Sequence, residues 1–116
     1  MPFDCTLQLA DDTVIVSPEG DVDIHTSAAV REVLREVVAS RTGGRIVVDL
    51  SDVTFLDSSG IGVFVAAKRA ADARGLELRL RNPGPVVRMV LEVTRLLGEL
   101  VEQAPERVAP YSRSAA

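Results

Sequence analysis

The stretch Asp49-Leu50-Ser51-Asp52-Val53-Thr54-Phe55-Leu56-Asp57-Ser58-Ser59-Gly60-Ile61-Gly62-Val63 joins two different kinds of sequence. Before it stands Arg45-Ile46-Val47-Val48, which runs on into Asp49-Leu50 as a short apolar segment bounded by Gly and Ser. Such a run, too short for a core helix and rich in β-branched residues, predicts a central buried strand. From Ser58 or Ser59 to about Arg74 the residues are small and helix-forming, with Ile61, Phe64, Val65, Ala66, Ala67, Ala70 and Ala71 as the apolar set. Gly75 then suits the left-handed position that closes a helix. Residues 51–57 between the two elements predict a loop, with Phe55 and Leu56 turned into the core.

Working outward, Cys5 to Ala10 alternates, Asp11-Asp12 reads as a turn, and Thr13-Val14-Ile15-Val16-Ser17 is a second β-rich run ending at Pro18-Glu19-Gly20. Two short strands about a polar turn predict a hairpin. Val30, Val33, Leu34, Val37 and Val38 then recur at helical spacing, with Thr26 or Ser27 as the hydroxyl cap and Gly43-Gly44 as the stop. On the C-terminal side, Leu76-Glu77-Leu78-Arg79-Leu80 alternates as a half-buried strand. Asn82-Pro83-Gly84-Pro85 is a turn, and Pro85 fits the first position of a helix. Val86, Val90, Val93 and Leu97 supply that helix with one apolar stripe, Leu100-Val101-Glu102 predicts a last strand, and the chain from Ala104 onward lacks periodicity. The order β-β-α-β-α-β-α-β predicts an α/β single domain, a mixed β-sheet with helices packed on it.

Composition narrows the function. A chain of 116 residues with a hydrophobic fraction of 47% can fill one core and little more. The formal charge of −4 argues against non-specific nucleic-acid binding, and the arginines form no sequence cluster. Lys68 is the only lysine among 13 basic residues, which reads as a composition bias toward Arg. Cys5 is alone, so no intrachain disulfide and no thiolate metal site is expected. The start, Met1-Pro2-Phe3-Asp4, carries no signal-peptide pattern, and no stretch approaches the ~18 apolar residues of a membrane span. These features predict a soluble, cytoplasmic protein.

The stretch that decides the fold also concentrates the chemistry: an acid, two hydroxyls and two glycines where the chain enters a helix. Gly60 and Gly62 within the first helical turns each cost about 1 kcal/mol against Ala. Either another surface approaches the backbone there, or the glycines let the helix pack tightly on the sheet. Ser58 is expected at the N-cap or just inside it, where the helix dipole tolerates an anion, and phosphorylation adds about −1.5 to −2 charge. A serine in that place is also an ordinary cap. A hydrolase built on Ser58, Asp57 and His25 lacks the Gly-x-Ser-x-Gly elbow, and an acid next to the serine in sequence is badly placed to orient the histidine. Nucleotide binding lacks a Gly-x4-Gly-Lys-Ser/Thr loop, and metal binding lacks a ligand pattern. No catalytic residue, cofactor or metal is therefore assigned.

Asp57-Ser58-Ser59-Gly60-Ile61-Gly62, behind a Val-rich strand ending Asp49-Leu50, resembles the STAS-domain anti-sigma factor antagonists. Gly20-Asp21-Val22-Asp23-Ile24-His25-Thr26 is similar to the Gly-Glu-Leu-Asp element before the family's first helix. Asn82-Pro83 with Val87-Arg88 adds a weaker match, and the order of elements agrees from about residue 5 to 103. The chain departs from the family near Arg95, where a Gly often follows the third helix, and at Gly84, where Ser or Ala is commoner. The resemblance implies a STAS domain over residues 1–104 with a flexible tail over 105–116. It implies a partner-switching regulator and not an enzyme: the unphosphorylated form binds an anti-sigma factor serine kinase and frees the sigma factor. Phosphorylation of Ser58 ends that binding, and a phosphatase resets it. Asp23, Ile24, His25, Thr26, Asp57, Ser59, Gly60 and Gly62 are implied as the surface that meets the kinase, with Ser59 more a helix-cap hydroxyl than an acceptor. No direct contact with nucleic acid or membrane is implied, and the free protein is expected to be a monomer. The competing expectation is a STAS module that is not phosphorylated and serves as a scaffold in a stress-sensing complex.

Overall fold

A computed structural model describes residues 4–95 and Leu100 of the chain. The hairpin forms as the alternation predicts. β1 (Cys5–Ala10) and β2 (Thr13–Pro18) pair antiparallel, and Ala10 faces Thr13 across the turn. Asp11 takes a φ of 54° there, a left-handed conformation that a short polar side chain tolerates. The apolar run becomes β4 (Arg45–Asp49), and the alternating segment becomes β6 (Glu77–Arg81). Between β2 and β4 in sequence lie β3 (Gly20–Val22) and α1 (Ser27–Ser40); between β4 and β6 lie β5 (Val53–Leu56) and α2 (Ser58–Ala73). The chain then enters α3 (Pro85–Val93), with Pro at its first turn.

β2, β4 and β6 are parallel neighbours, so the four-stranded sheet has the order β1-β2-β4-β6 with one antiparallel edge. Ile46, Val47 and Val48 of β4 are all buried, although successive side chains point to opposite faces. A strand covered on both sides needs such an unbroken apolar run. Val16, Ile46, Val48, Leu78 and Leu80 from the sheet meet Val30 and Leu34 of α1 and Val63 and Phe64 of α2 in one core. Phe64 is fully buried, a burial that contributes about 1.5–3 kcal/mol. Gly75 follows α2 with a φ of +75°, the left-handed closure expected from its position.

Several expectations need correction. Residues 51–57, expected as a loop, contain the short strand β5, which pairs parallel with β3, a short strand the pattern does not predict, in a second, two-stranded sheet. Leu56 is buried as expected, but Phe55 is 43% exposed. In α3 the buried residues are Val87 and Leu91, whereas Val86 and Val93 of the predicted stripe are exposed. The helix is apolar on nearly every side (Pro-Val-Val-Arg-Met-Val-Leu-Glu-Val), so periodicity alone offers two stripes and the packing against β5 selects one. Leu100 is buried and helical, not the start of a strand; residues 101 and 102, Leu97, and the tail expected over 105–116 lie outside the described residues. Among the described residues, no helix is long and apolar enough to cross a membrane.

Arg95, near which the family that the sequence resembles often has Gly, takes a φ of 65° just past α3. A left-handed residue with a side chain carries a conformational penalty of roughly 1–2 kcal/mol that Gly avoids. Arg95→Gly should therefore raise stability by about 1 kcal/mol, read as a higher denaturation midpoint in urea. A lower midpoint would show that the arginine side chain contributes more than the strain costs.

Candidate functional site

β3 and β5 run parallel, so both end at the same edge, and Val22 lies opposite Leu56 in register. Two segments far apart in sequence, 23–26 and 57–59, therefore leave adjacent strands side by side. The Asp57 amide donates to the Val22 carbonyl at 3.3 Å and ties the two exits together. The Thr54 hydroxyl donates to the Asp21 carboxylate at 2.7 Å and links the same strands further back. The backbone pairing thus brings the predicted surface residues from both segments to one place.

Asp57 is the N-cap of α2. Its extended backbone (φ −114°, ψ −170°) aims a carboxylate oxygen at the amides of Ser59 (2.9 Å) and Gly60 (3.2 Å). A carboxylate there satisfies orphan amides and complements the helix dipole. The cap is thus the acid and not a serine hydroxyl, which corrects the role expected for Ser59. Ser58 occupies the first helical position and is exposed; Ser59 is half-buried. With the Ser59 and Gly60 amides already engaged, a phosphate on Ser58 would meet a partly filled helix terminus beside the Asp57 carboxylate. Ser58→Ala should change stability by no more than about 0.5 kcal/mol, the range of ordinary surface substitutions. Asp57→Ala should cost about 1 kcal/mol as a lost cap. Thermal melts of the two variants check this pair; equal losses would contradict the division of roles.

The loop before α1 is held by its own acid. The Asp23 carboxylate accepts from the His25 amide at 2.8 Å and the Thr26 amide at 3.2 Å. The Thr26 hydroxyl donates to the Asp21 carbonyl at 2.7 Å and accepts from the Asp23 amide at 3.0 Å. Thr26 stands at the N-cap position, yet its hydroxyl bonds back into the loop and not to α1, contrary to the expected capping role. The half-buried ring of bonds leaves Ile24 (70% exposed) and His25 facing outward.

The His25 amide, and after it the Thr26 amide and hydroxyl, hold the Asp23 carboxyl below its usual range against partial desolvation. A lowered folded-state value gives stabilisation that is present above the ordinary carboxyl range, near pH 4, and lost as pH falls through the lowered value. Protection of the His25 and Thr26 amides against exchange should therefore be flat above about pH 4 and fall only below it. An inflection near neutral pH would contradict that assignment.

The two glycines separate. A Cβ on Gly60 would lie 2.5 Å from Leu56 Cδ1 and 2.8 Å from both Val22 Cγ1 and the Val22 carbonyl oxygen. Gly60 is buried, so it serves the close seating of α2 on β3 and β5, and not direct contact with another molecule. Gly62 is exposed, and a Cβ there would meet nothing within 4 Å. From the sequence, Thr54 has no role, and Asp21 and Val22 are only part of the element before α1; recognition of the two short strands would have joined them. Among the described residues no group of three or more His, Cys, Asp or Glu side chains could hold a metal ion.

The STAS domain family model matches residues 5–110. An anti-sigma F factor antagonist of Paenibacillus polymyxa is 32% identical over 83 residues, covering 72% of this chain and 71% of the relative. An anti-sigma-B factor antagonist of Listeria monocytogenes is 33% identical over 85 residues, 73% of this chain and 74% of its own length. The fold is also that of SpoIIAA in its unphosphorylated form, an anti-sigma factor antagonist, with a TM-score of 0.72 and 24% identity over 89% of this chain and 90% of the other. The Bacillus cell fate determinant SpoIIAA in its phosphorylated form superposes with a TM-score of 0.66 at 24% identity, covering 89% of this chain and 94% of the other. With a family match spanning nearly the whole chain and relatives of this identity, the chain belongs to the STAS domain family, whose members include anti-sigma factor antagonists.

Proposed function

We propose that this protein is an anti-sigma factor antagonist that works by partner switching. Unphosphorylated, it binds an anti-sigma factor that is a serine kinase and releases the sigma factor held there. The kinase transfers the γ-phosphoryl group of ATP to the Ser58 hydroxyl, ADP leaves, and the modified protein dissociates. A phosphatase hydrolyses the phosphoserine to serine and inorganic phosphate and restores binding. The observation that carries this proposal is the exposed Ser58 hydroxyl at the first position of α2, beside a helix cap already made by Asp57. Among the described residues its loss or modification breaks no hydrogen bond, as a reversible mark requires. The names of the relatives support the class of partner.

Asp23, Ile24, His25, Thr26, Asp57, Ser59 and Gly62 form the docking surface around Ser58, and Gly60 shapes it from beneath. The protein adds no catalysis of its own, acts in the cytoplasm as a free monomer, and needs only residues 1–104 for binding. It touches neither nucleic acid nor membrane directly. The test is a competition: a preformed complex of sigma factor and anti-sigma factor is titrated with this protein, and free sigma factor is measured. Stoichiometric release by the unmodified protein is expected. Failure to release with every cognate candidate from the same genome would overturn the proposal.

A further inference from the structure

α1 and α2 lie side by side, and the Arg74 guanidinium just past the end of α2 donates to the Ala39 carbonyl at 3.4 Å and the Arg41 carbonyl at 2.8 Å at the end of α1. The two helices therefore finish together. Between them runs a groove of about 340 Å³, on the scale of small-ligand sites. Its floor is Leu34, Val38 and Val63, buried at 1–4% exposure, and α2 walls it with Ala66, Ala67 and Ala70, of which Ala66 and Ala70 are exposed. From Val63 to Ala70 the slot spans eight residues, roughly 10 Å at the helical rise.

Among the described residues, the ionisable side chains that line the groove are Arg31, Arg35 and Arg74, in a chain whose formal charge is −4. Arg31 and Arg35 are one helical turn apart on α1. Arg31 has no carboxylate partner among the described residues. Arg35 is paired with Glu32 at 2.8 Å, but both side chains are exposed, and such a pair exchanges readily for another carboxylate. Arg74 spends its hydrogen bonds on neutral carbonyls and so keeps its charge. A narrow apolar slot with a cationic rim fits a ligand with one alkyl chain and an anionic head. The alanine walls give a docking helix little side-chain relief to interlock with, whereas a single alkyl chain needs only a smooth apolar wall.

We propose that the α1–α2 groove binds a medium-chain acyl carboxylate of about ten carbons, its chain along the slot and its head group at Arg31 and Arg35. The site is separate from the Ser58 surface and does not depend on the proposed partner switching. The test is titration calorimetry with decanoate, decanol and decyltrimethylammonium, each below its micellar concentration. Decanoate should bind one per chain, decanol at least ~10-fold more weakly, and the cation not measurably, since only the first pairs with arginine. Ala70→Leu fills the slot and should abolish binding, while Ala73→Leu, exposed on α2 and outside the groove, should leave it unchanged. Arg31→Gln, an exposed change that leaves the core intact, should weaken decanoate ~10-fold without moving the melting temperature. Equal affinity for the three head groups, or binding that survives Ala70→Leu, would overturn the proposal. So would an absence of decanoate heat while an acidic amphipathic peptide binds at the groove, which would assign it to a protein partner.

Discussion

Ser58→Asp should weaken binding to the anti-sigma factor at least ~30-fold while leaving the melting temperature unchanged, and the phosphorylated protein should bind more weakly still. A charge left uncompensated in a docked interface costs about 2–5 kcal/mol, and each 1.4 kcal/mol is tenfold in affinity. The local geometry makes compensation from within the domain difficult. Two amides at this helix end, those of Ser59 and Gly60, already serve the Asp57 carboxylate, so a second anion one residue on finds fewer donors there than an unfilled helix terminus would offer. Asp23 adds another carboxylate on the neighbouring loop, likewise committed to its own backbone. The fold accepts the same charge, because an acid in the first helical turn is favoured by the dipole. Phosphate, at about −1.5 to −2, exceeds Asp in charge and in bulk. Calorimetry on wild type, Ser58→Ala and Ser58→Asp checks this: Ala should bind like the unmodified protein, and Asp affinity within twofold of it would contradict the account.

Gly60→Ala and Gly62→Ala should move stability in opposite directions. Both gain about 1 kcal/mol of helix propensity. At Gly60 the new methyl falls 2.8 Å from the Val22 carbonyl oxygen, a backbone atom held in the β3–β5 pairing, and 2.5 Å from a Leu56 methyl. Overpacking of this kind costs about 1–3 kcal/mol and occasionally more. Here backbone must give way, so a net loss of about 2 kcal/mol is expected, a drop of roughly 8–16 °C in melting temperature for a domain of this size. At Gly62 the methyl enters open space, and the variant should gain about 0.5–1 kcal/mol. If Gly62 is kept for the approach of the partner, the same variant should bind the anti-sigma factor more weakly despite its greater stability. A Gly62→Ala protein improved in both respects would remove Gly62 from the docking surface.

How much of this was legible depends on the kind of signal each residue carries. The runs 45–49 and 58–73 state their own structure, one by unbroken β-branched residues and the other by small helix formers closed by Gly75. The order of helices and main strands follows from them. β3 and β5 did not announce themselves: three and four residues are too few for a period, and each is stabilised by the other across more than thirty positions. Missing them meant placing Phe55 inside when it stands at the surface. The stripe of α3 was ambiguous because its own sequence is apolar almost all round, and only the tertiary contact chose Val87 and Leu91. At the site, the residues were visible as a cluster but their duties were not. Asp, Ser and Ser in a row are all competent caps, and the backbone angles at Asp57 decide that the acid caps and the next hydroxyl is left free. Thr26 shows the reverse case, a cap residue by sequence whose hydroxyl is drawn back to Asp21 by a β3 strand that the pattern did not reveal.

The central claim is that the Ser58 oxygen accepts and displays a phosphate. Incubation of the protein with its cognate anti-sigma factor and ATP, followed by intact-mass measurement and peptide mapping, tests it most directly. The account predicts a mass gain of a single phosphate, located on Ser58, abolished in Ser58→Ala and accompanied by dissociation of the complex. A stable complex that forms in the presence of ATP with no phosphate on Ser58, or with the phosphate on Ser59, would contradict it.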